Sequence, residues 1–319
     1  MTGKQTAAYF FRKAVELLAT LLLVSLFTFL AFSVIPGDTA RVMLGANATT
    51  EQVEALRAEL GLDRPLPVRY LSWLGGAFTG NLGNSTQYRT SVGGLIVSRL
   101  PVTLGMSVLA FCMIILISYP LAVLSSRRPG KFADQVCSVL GHILFAIPPF
   151  VLSLLLIFIT GSLFKKVSVG SYTAPDVNFG MYVRSLMLPA FAIALPKIAM
   201  TFKFLRSSII EQKASDYVAT AKSHGLSDYK IMFRHILPNS NVSSITVISL
   251  VLSDILGGSL IVEQVFNLPG LGRLLLSAIS QRDFPLLSGI VFYLALVTVL
   301  LYFAADVFSS MSDPRIRIR

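Results

Sequence analysis

Charged side chains are scarce in this chain of 319 residues. Asp, Glu, Lys and Arg make up 13% of it, about half the ~25% that is usual for soluble domains. Cysteine and histidine are also scarce, with two and three residues, so neither a disulfide framework nor a His/Cys metal site is indicated. The sequence contains no GxxxxGK motif followed by Ser or Thr, no HExxH and no GxSxG. These absences give no support to an enzyme with its own nucleotide, metal or nucleophile site.

Long apolar runs are what the sequence has instead. About 20 consecutive apolar residues span the hydrocarbon core of a bilayer, and such a segment satisfies its backbone hydrogen bonds internally as a helix. We therefore predict an all-α integral membrane protein with six transmembrane helices. The six runs are Ala14–Ile35, Pro101–Leu124, Val136–Leu163, Leu186–Leu205, Val242–Val262 and Ser288–Ser310.

The distribution of basic residues predicts the orientation in the membrane. The net charge is +11. With the N-terminus inside, the inner segments are 1–13, 125–135, 203–241 and 311–319, and the outer segments are 36–100, 161–185 and 263–287. The inner segments carry 15 Lys and Arg in 72 residues, and the outer segments carry 11 in 115. By the positive-inside rule both termini are cytoplasmic (N-in/C-in). The basic excess is thus a topology signal, and we expect no nucleic-acid partner.

These segments also predict the domain organisation. Residues 1–35 form the cytoplasmic N-terminus and the first span, and residues 36–100 form a small helical extracytoplasmic element. Residues 101–310 form a five-helix transmembrane core with a cytoplasmic loop at 203–241, and residues 311–319 form a cytoplasmic tail. The outer element has two interpretations of equal weight: a lid over the helix ends, or a docking surface for an outside partner.

Proline interrupts two of the predicted spans. Pro148 and Pro149 lie in the third run, and Pro189 and Pro196 lie in the fourth. Proline in a spanning helix frees backbone groups that neighbouring helices or water must satisfy. Packed kinks and broken helices that line a cavity are both consistent with this pattern.

Two opposite charges lie deep within predicted spans. Lys197 is in the fourth run and Asp254 in the fifth, and at ~1.5 Å per residue both lie roughly 12–17 Å below the outer boundary. At similar depth the two side chains can form an ion pair. A deep charge usually faces protein or water. A structural clamp, a gate and part of a polar path are the three interpretations.

The loop at 203–241 is too amphipathic for a simple linker. Its first half, "SIIEQKASDYVATAKSHG", predicts a helix, and Gly225 suits the position after a helix end where φ is positive. Ser227 and Asp228 then cap a second helix, which Pro238 ends. The apolar face of this second helix is formed by Ile231, Met232, Phe233 and Ile236. The two interpretations are a helix lying on anionic lipid and a coupling element that inserts into a groove on a soluble partner.

This loop resembles the cytoplasmic loop of binding-protein-dependent ABC importer permeases, whose pattern is E-A-A-x3-G-x9-I-x-L-P. Placing its glycine on Gly225 puts the E-A-A positions at Ala219, Thr220 and Ala221, and the final Leu-Pro at Leu237 and Pro238. The acidic residue, the first alanine and the isoleucine differ here. Asp216, one turn upstream, supplies an acidic side chain near the first position.

The resemblance to the peptide/nickel subfamily of these permeases runs nearly end to end. It is carried by "IPGDTARVMLG", "ALRAELGLDRPLPVRYLSWLGG", "SRLPVTLGMS", "EQVFNLPGLGRLLLSAISQRDFP" and "DPRIR". The long outer element is similar to the first of the two permease types that these systems pair. The resemblance implies a second homologous permease subunit, two ATP-binding subunits and an extracytoplasmic substrate-binding protein, all at the bacterial cytoplasmic (inner) membrane and its lipid. It implies no cofactor in this chain, with ATP and Mg on the partner subunits.

The resemblance also implies a function and a set of residues. We expect a permease that moves di- or oligopeptides by alternating access. The alternatives are a nickel or metal-chelate importer of the same family, a stand-alone secondary transporter, and a receptor or scaffold whose loop only docks a partner. The residues expected to couple to the ATPases are Asp216, Tyr217, Ala219, Ala221, Gly225, Leu226, Arg234 and Pro238. The residues expected to form the translocation path or a gate are Lys197, Asp254, Phe266, Pro269 and Gly270.

Overall fold

A computed structural model describes residues 3–34, 39–44, 48–59, 61–164 and 172–312. In these ranges the chain is almost entirely helical and forms no β-strand. The predicted all-α membrane fold is confirmed. The tail at 313–319 lies outside the described residues. The helices are α1 Gly3–Val34, α2 Thr39–Leu44, α3 Thr50–Glu59, α4 Leu66–Phe78, α5 Val92–Arg127, α6 Phe132–Ala146, α7 Pro149–Phe164, α8 Phe179–Lys213, α9 Asp216–Ser223, α10 Asp228–Ile231, α11 Leu237–Val265, α12 Leu271–Ser280 and α13 Phe284–Ser312.

Five helices within the described residues are long and apolar enough to cross a membrane, namely α1, α5, α8, α11 and α13. A sixth span is present if α6 and α7 are counted together. These two helices correspond to the third apolar run, but their axes differ by 108° at the break between them. The third run is therefore a broken helix and not one straight span.

The break between α6 and α7 follows from the two prolines. Ile147, which precedes Pro148, has φ −89° and ψ 124°, the extended conformation that a residue before proline prefers. Pro149 then begins α7, where its missing N–H removes no helical hydrogen bond. In α8 the outcome differs, because Pro189 and Pro196 are both buried inside one continuous helix. The third run is thus a broken helix, and the cavity that such a helix would line stays a prediction.

The chain forms two compact units, and the first comprises residues 1–101 and 269–300. In this unit α4 packs on α1, and the Tyr70 hydroxyl lies 2.8 Å from the Ser25 hydroxyl. Aromatic rings extend this contact: Trp73 lies 6.1 Å from Phe29 and 5.5 Å from Phe292 between ring centroids. The core of this unit also contains buried apolar residues from the start of α5, α12 and α13.

A buried carboxylate, Asp283, joins the loop before α5 to the start of α13. It is fully buried and accepts a hydrogen bond from the Ser85 hydroxyl. The backbone N–H groups of Thr86, Gln87 and Leu286 each donate to it at 3.2 Å. The bond from Leu286 caps α13. One side chain thus satisfies three backbone donors of the unit.

We expect Asp283→Ala to destabilise this first unit strongly, because each buried donor left unsatisfied costs about 1–3 kcal/mol. Trp73 is the only tryptophan of the chain and lies in this unit, so its fluorescence during heating in detergent reports the change. Ser280→Ala is the control, since its hydroxyl is exposed and only bonds back to the Ser277 carbonyl. Equal melting temperatures for the two variants contradict the assignment.

The second unit comprises residues 102–268 and 301–319, and α8 lies at its centre. This helix packs against α6, α7 and α11. Its buried positions recur through its length, and the fully buried ones include Leu186, Ile193 and Leu205. The cytoplasmic loop predicted from the sequence belongs to this unit, so α8 supports both the spans and the loop.

Candidate functional site

The loop at 203–241 contains two short helices, α9 and α10, and a π-helical segment, Met232–Ile236, that follows them. We call these three together the elbow (residues 216–236). The sequence predicted one helix from Ser208 to Gly225, and this is wrong. Instead α8 ends at Lys213, Ser215 adopts an extended conformation with φ −76° and ψ 148°, and α9 begins at Asp216. The first elbow helix is therefore separated from the fourth-run helix by a two-residue break.

A glycine turn joins the two helices of the elbow. Gly225 has φ +76°, as predicted, and its N–H donates to the Lys222 carbonyl at 2.9 Å. The N–H of Leu226 donates to the Ala221 carbonyl at 3.2 Å. This pair of bonds is the Schellman motif, which requires a residue with positive φ at the position of Gly225. The turn therefore fixes the angle between α9 and α10.

The start of α10 agrees with the prediction. The Ser227 hydroxyl accepts a hydrogen bond from the Lys230 N–H at 3.4 Å, and Asp228 occupies the first turn. Asp228 also lies 3.9 Å from Lys222 across the turn, but both side chains are exposed, so this pair contributes little. The turn is held by its backbone and not by charge.

The end of α10 differs from the prediction. Pro238 does not terminate the helix, because it lies in the first turn of α11. The segment Met232–Ile236 is a π-helix, and the Leu237 N–H donates to the Met232 carbonyl five residues earlier. A proline inside an α-helix clashes with the carbonyl four residues before it, and the wider π turn relieves such crowding. The second elbow helix is thus continuous with the fifth-run helix.

One face of the elbow is buried against the membrane helices. Ile231, Met232 and Ile236 are buried as predicted, but Phe233 is 42% exposed, so its place on the apolar face was wrong. The cluster joins the end of α5 to α8 and the elbow through Ala122, Val123, Phe202, Leu205, Ile209, Val218 and Ala221. The elbow is therefore packed onto the ends of two helices rather than free in solution.

The opposite face of the elbow is exposed. Asp216 and Ala219 are both exposed, and their spacing of three residues places them on the same side of α9. Arg234 is also exposed, while Tyr217 is half-buried and donates to the Gln212 side chain at 2.9 Å. Five of the expected coupling residues thus fall into two groups. Ala221 and Leu226 pack in the apolar cluster, and Asp216, Ala219 and Arg234 are exposed.

Lys197 and Asp254 form an ion pair, which the sequence had left open. The Lys197 ammonium donates to Asp254 Oδ2 at 2.6 Å. The Lys197 side chain is 18% exposed, whereas that of Asp254 is 58% exposed. The pair thus joins α8 to α11 and presents its carboxylate, not its ammonium group, at the surface of this chain.

The three residues expected to form an outer gate lie along the turn between α11 and α12. Phe266 is 4% exposed and belongs to the apolar core of the second unit. Asn267 has φ +56°, and with Leu268 it closes α11 with the same hydrogen-bond pattern as the glycine turn of the elbow. Pro269 and Gly270 belong to the first unit, and Gly270 is the residue before α12.

Comparison with known proteins decides the family. Residues 114–318 match the family described as binding-protein-dependent transport system inner membrane component. Residues 7–107 match the family of its N-terminal region. The chain belongs to this inner membrane component family. It is therefore a multi-pass protein of the bacterial inner membrane.

Two similar proteins align with nearly the whole length of this chain. The "Probable peptide ABC transporter permease protein y4tP" of Sinorhizobium fredii is 33% identical over 309 residues, 97% of this chain and 99% of that protein. The oligopeptide transport system permease protein AppB of Bacillus subtilis is 31% identical over 313 residues, 97% of this chain and 99% of that protein.

Solved structures share the fold of the component. An inward-facing structure of the MetNI methionine ABC transporter gives a TM-score of 0.55 at 18% identity, over 69% of this chain and 96% of that chain. An amino acid ABC transporter crystallised with histidines gives 0.51 at 21% identity, over 68% and 94%.

The sequence did not predict a second ion pair of this chain, which joins Asp134 and Arg206. The Arg206 guanidinium donates to both carboxylate oxygens, at 2.5 Å and 2.6 Å. Asp134 also accepts from the Ser125 hydroxyl and from the Gly130 N–H at 2.7 Å. The Asp134 side chain is 4% exposed. These bonds tie the end of α5, the start of α6 and α8 together beside the elbow.

The second missed residue is Glu263, which lies one residue beyond the predicted fifth span. It is fully buried and accepts a hydrogen bond from the Thr103 hydroxyl at 2.6 Å. No grouping of three or more metal-ligating side chains occurs in the described part of the chain. Glu263, like Asp283, is thus a buried carboxylate that accepts hydrogen bonds from the protein itself.

Proposed function

We propose that this chain is the transmembrane permease subunit of an ATP-binding cassette importer that carries di- or oligopeptides into the cytoplasm. The relatives that span its whole length are described as peptide and oligopeptide permeases, which favours peptides over nickel or metal chelates as cargo. The family description implies an outside binding protein. In this proposal a second homologous permease completes the channel, and two ATPase subunits bind ATP and Mg.

The observation that carries the proposal is the geometry of the elbow. Its exposed face is open to a partner, its buried face is packed on α5 and α8, and α10 continues without a break through the π segment into α11. A displacement of the elbow by the closing ATPases therefore moves α11 directly. Gly225 holds the angle through which α9 passes that displacement to α10.

The proposed transport path lies along α8 and α11. Lys197 and Asp254 are our candidates for a polar part of the path, since their pair presents a carboxylate at the surface of a spanning helix. Phe266, Pro269 and Gly270 are our candidates for an outer gate. The segment organisation proposed above, with residues 36–100 outside and 203–241 inside, places the binding protein and the ATPases on opposite faces.

Purification from mild detergent tests the proposed function. We expect the chain to purify with a second permease and two ATPase subunits, and the loaded binding protein to stimulate ATP hydrolysis several-fold. A stand-alone secondary transporter instead purifies without ATPases and moves solute along an ion gradient. A docking scaffold binds its partner but moves no solute. Either of these results contradicts the proposal.

A further inference from the structure

The carboxylate of Asp254 is placed where a charged group is unfavourable unless something binds it. Asp254 lies in the apolar segment Val247–Val265 of α11, roughly 10 Å from its start and 16 Å from its end at ~1.5 Å per residue. At this depth lipid solvates a carboxylate poorly, so such a group faces water, protein or a ligand. The 58% exposure of Asp254 excludes the interior of this chain as its full environment.

Lys197 satisfies only part of the hydrogen-bonding capacity of this carboxylate. Within the described residues Asp254 accepts one hydrogen bond, from the Lys197 ammonium to Oδ2, whereas an ionised carboxylate has about four acceptor positions. The more buried partner is the cation, and the more exposed partner is the anion. The exposed side of the ion pair is therefore negative, and it attracts a cationic ligand and repels an anionic one.

The surface beside Asp254 is open to an approaching ligand. Gly257 and Gly258 lie one turn further along α11, and a Cβ at either position meets no atom within 4 Å. Leu250 and Ile261 flank the carboxylate on the same exposed face, at 42% and 53% exposure. A ligand can thus contact Asp254 and rest its apolar part on bare backbone and aliphatic side chains.

We infer that Asp254 binds the ammonium group of the transported peptide, its free amino terminus, during passage through the permease. This inference rests on the proposed function and names the part of the substrate that the path recognises. An unmodified peptide carries this group whatever its side chains are, so a single carboxylate serves peptides of different sequence. Lys197 orients the carboxylate through its hydrogen bond and shares its charge, so that the peptide is also released.

Thiol labelling in the assembled complex tests this inference. In a background with Cys112 and Cys137 replaced by Ala, L250C places a thiol one turn from Asp254. We expect a cationic methanethiosulfonate to label L250C faster than an anionic one. Asp254→Asn lowers this rate ratio roughly tenfold, because it removes the negative charge that attracts the cationic reagent, and an attraction of about 1.4 kcal/mol corresponds to that factor. Free tetra-alanine slows the labelling, and N-acetyl-tetra-alanine does so much less.

Two variants complete the design. Glu16→Gln makes the same carboxylate-to-amide change at an ion-paired residue near the start of α1 and leaves the ratio unchanged. Lys197→Met/Asp254→Asn removes both charges together and therefore leaves no unpaired charge in a span. It replaces the single variant if that variant fails to assemble. It too should lose the cation preference.

The results that overturn the inference are distinct from those that overturn the proposed function. Three results count against the amine site. They are a labelling ratio that is the same in both Asp254 variants as in the wild type, equal protection by the two peptides, and complete absence of labelling at L250C. The last of these indicates that a partner subunit covers this face. The labelling ratio is measured without transport. Failure of the wild-type complex to import tetra-alanine therefore counts against peptide transport and not against a cation site.

Discussion

Gly225→Val should uncouple ATP hydrolysis from transport while the protein still inserts and assembles. Gly225 has φ +76°, and a Cβ at this position meets no atom within 4 Å. Crowding by neighbours is therefore not the cause of the expected effect. The cause is the backbone, because a side chain at positive φ costs about 1–2 kcal/mol and a β-branched residue is the least tolerant. The turn relaxes, and the angle between α9 and α10 is lost.

We expect peptide uptake per ATP hydrolysed to fall by about fivefold or more, since about 1 kcal/mol corresponds to that factor. The measurement is uptake and phosphate release in the same vesicles. Gly225→Asn, which tolerates positive φ, should retain most of the coupling. Gly161→Val in α7 is the matched control, because that glycine also has open space but no positive φ. Arg234→Glu, on the exposed face, should uncouple as well.

Uptake per ATP that is the same in Gly225→Val and in wild type contradicts the role of the elbow. The same holds if Gly225→Val and Gly161→Val lose coupling equally, because the effect then follows from any added side chain and not from the positive φ. Loss in Gly225→Val with retention in Gly225→Asn assigns the effect to the positive φ of the turn.

Arg206→Met should have the largest effect on stability. It leaves Asp134 buried with its Ser125 and Gly130 hydrogen bonds but without its cation. Removal of one partner from a buried ion pair costs about 3–5 kcal/mol, whereas replacement of both partners by apolar residues is often neutral. We therefore expect Arg206→Met to reduce folded protein severely, and Asp134→Leu/Arg206→Met to recover much of it.

Size-exclusion profiles and melting temperatures in detergent compare the stability of Arg206→Met with that of the double variant. Lys203→Met is the control, because Lys203 is an exposed cation on the same helix, and it should melt near the wild-type temperature. If Arg206→Met has the same melting temperature as the control, the ion pair contributes nothing to the stability of the fold. If the double variant is less stable than Arg206→Met alone, the apolar replacement does not pack and the energetic account of the site is wrong.

The parts of the site that could be predicted are those with a local signal. Gly225 follows an amphipathic stretch and precedes Ser227, so the turn and the cap are readable from neighbouring residues. The sequence raised the Lys197–Asp254 pair as a possibility, because two opposite charges stand out in apolar runs at similar depth. Asp134 and Arg206 gave no such signal, since they are 72 residues apart and each is ordinary in a segment that the sequence predicts to be cytoplasmic.

Proline was the least informative residue, because its effect depends on tertiary context. Pro148–Pro149 breaks a span, Pro189 and Pro196 are absorbed in a continuous helix, and Pro238 lies at a helix start instead of a helix end. The π turn before Pro238 is what joins α10 to α11, and no periodicity in the sequence indicates it. The mechanical connection that matters most was therefore visible only in the structure.

Reconstitution with and without the ATPase subunits tests the central claim most directly. Vesicles contain this chain and its permease partner, loaded binding protein is added outside, and tetra-alanine uptake is followed under an imposed ion gradient. We predict no uptake until the ATPase subunits and ATP are present. Full-rate uptake by the permeases alone would contradict the account, because the elbow would then have no ATPase movement to transmit.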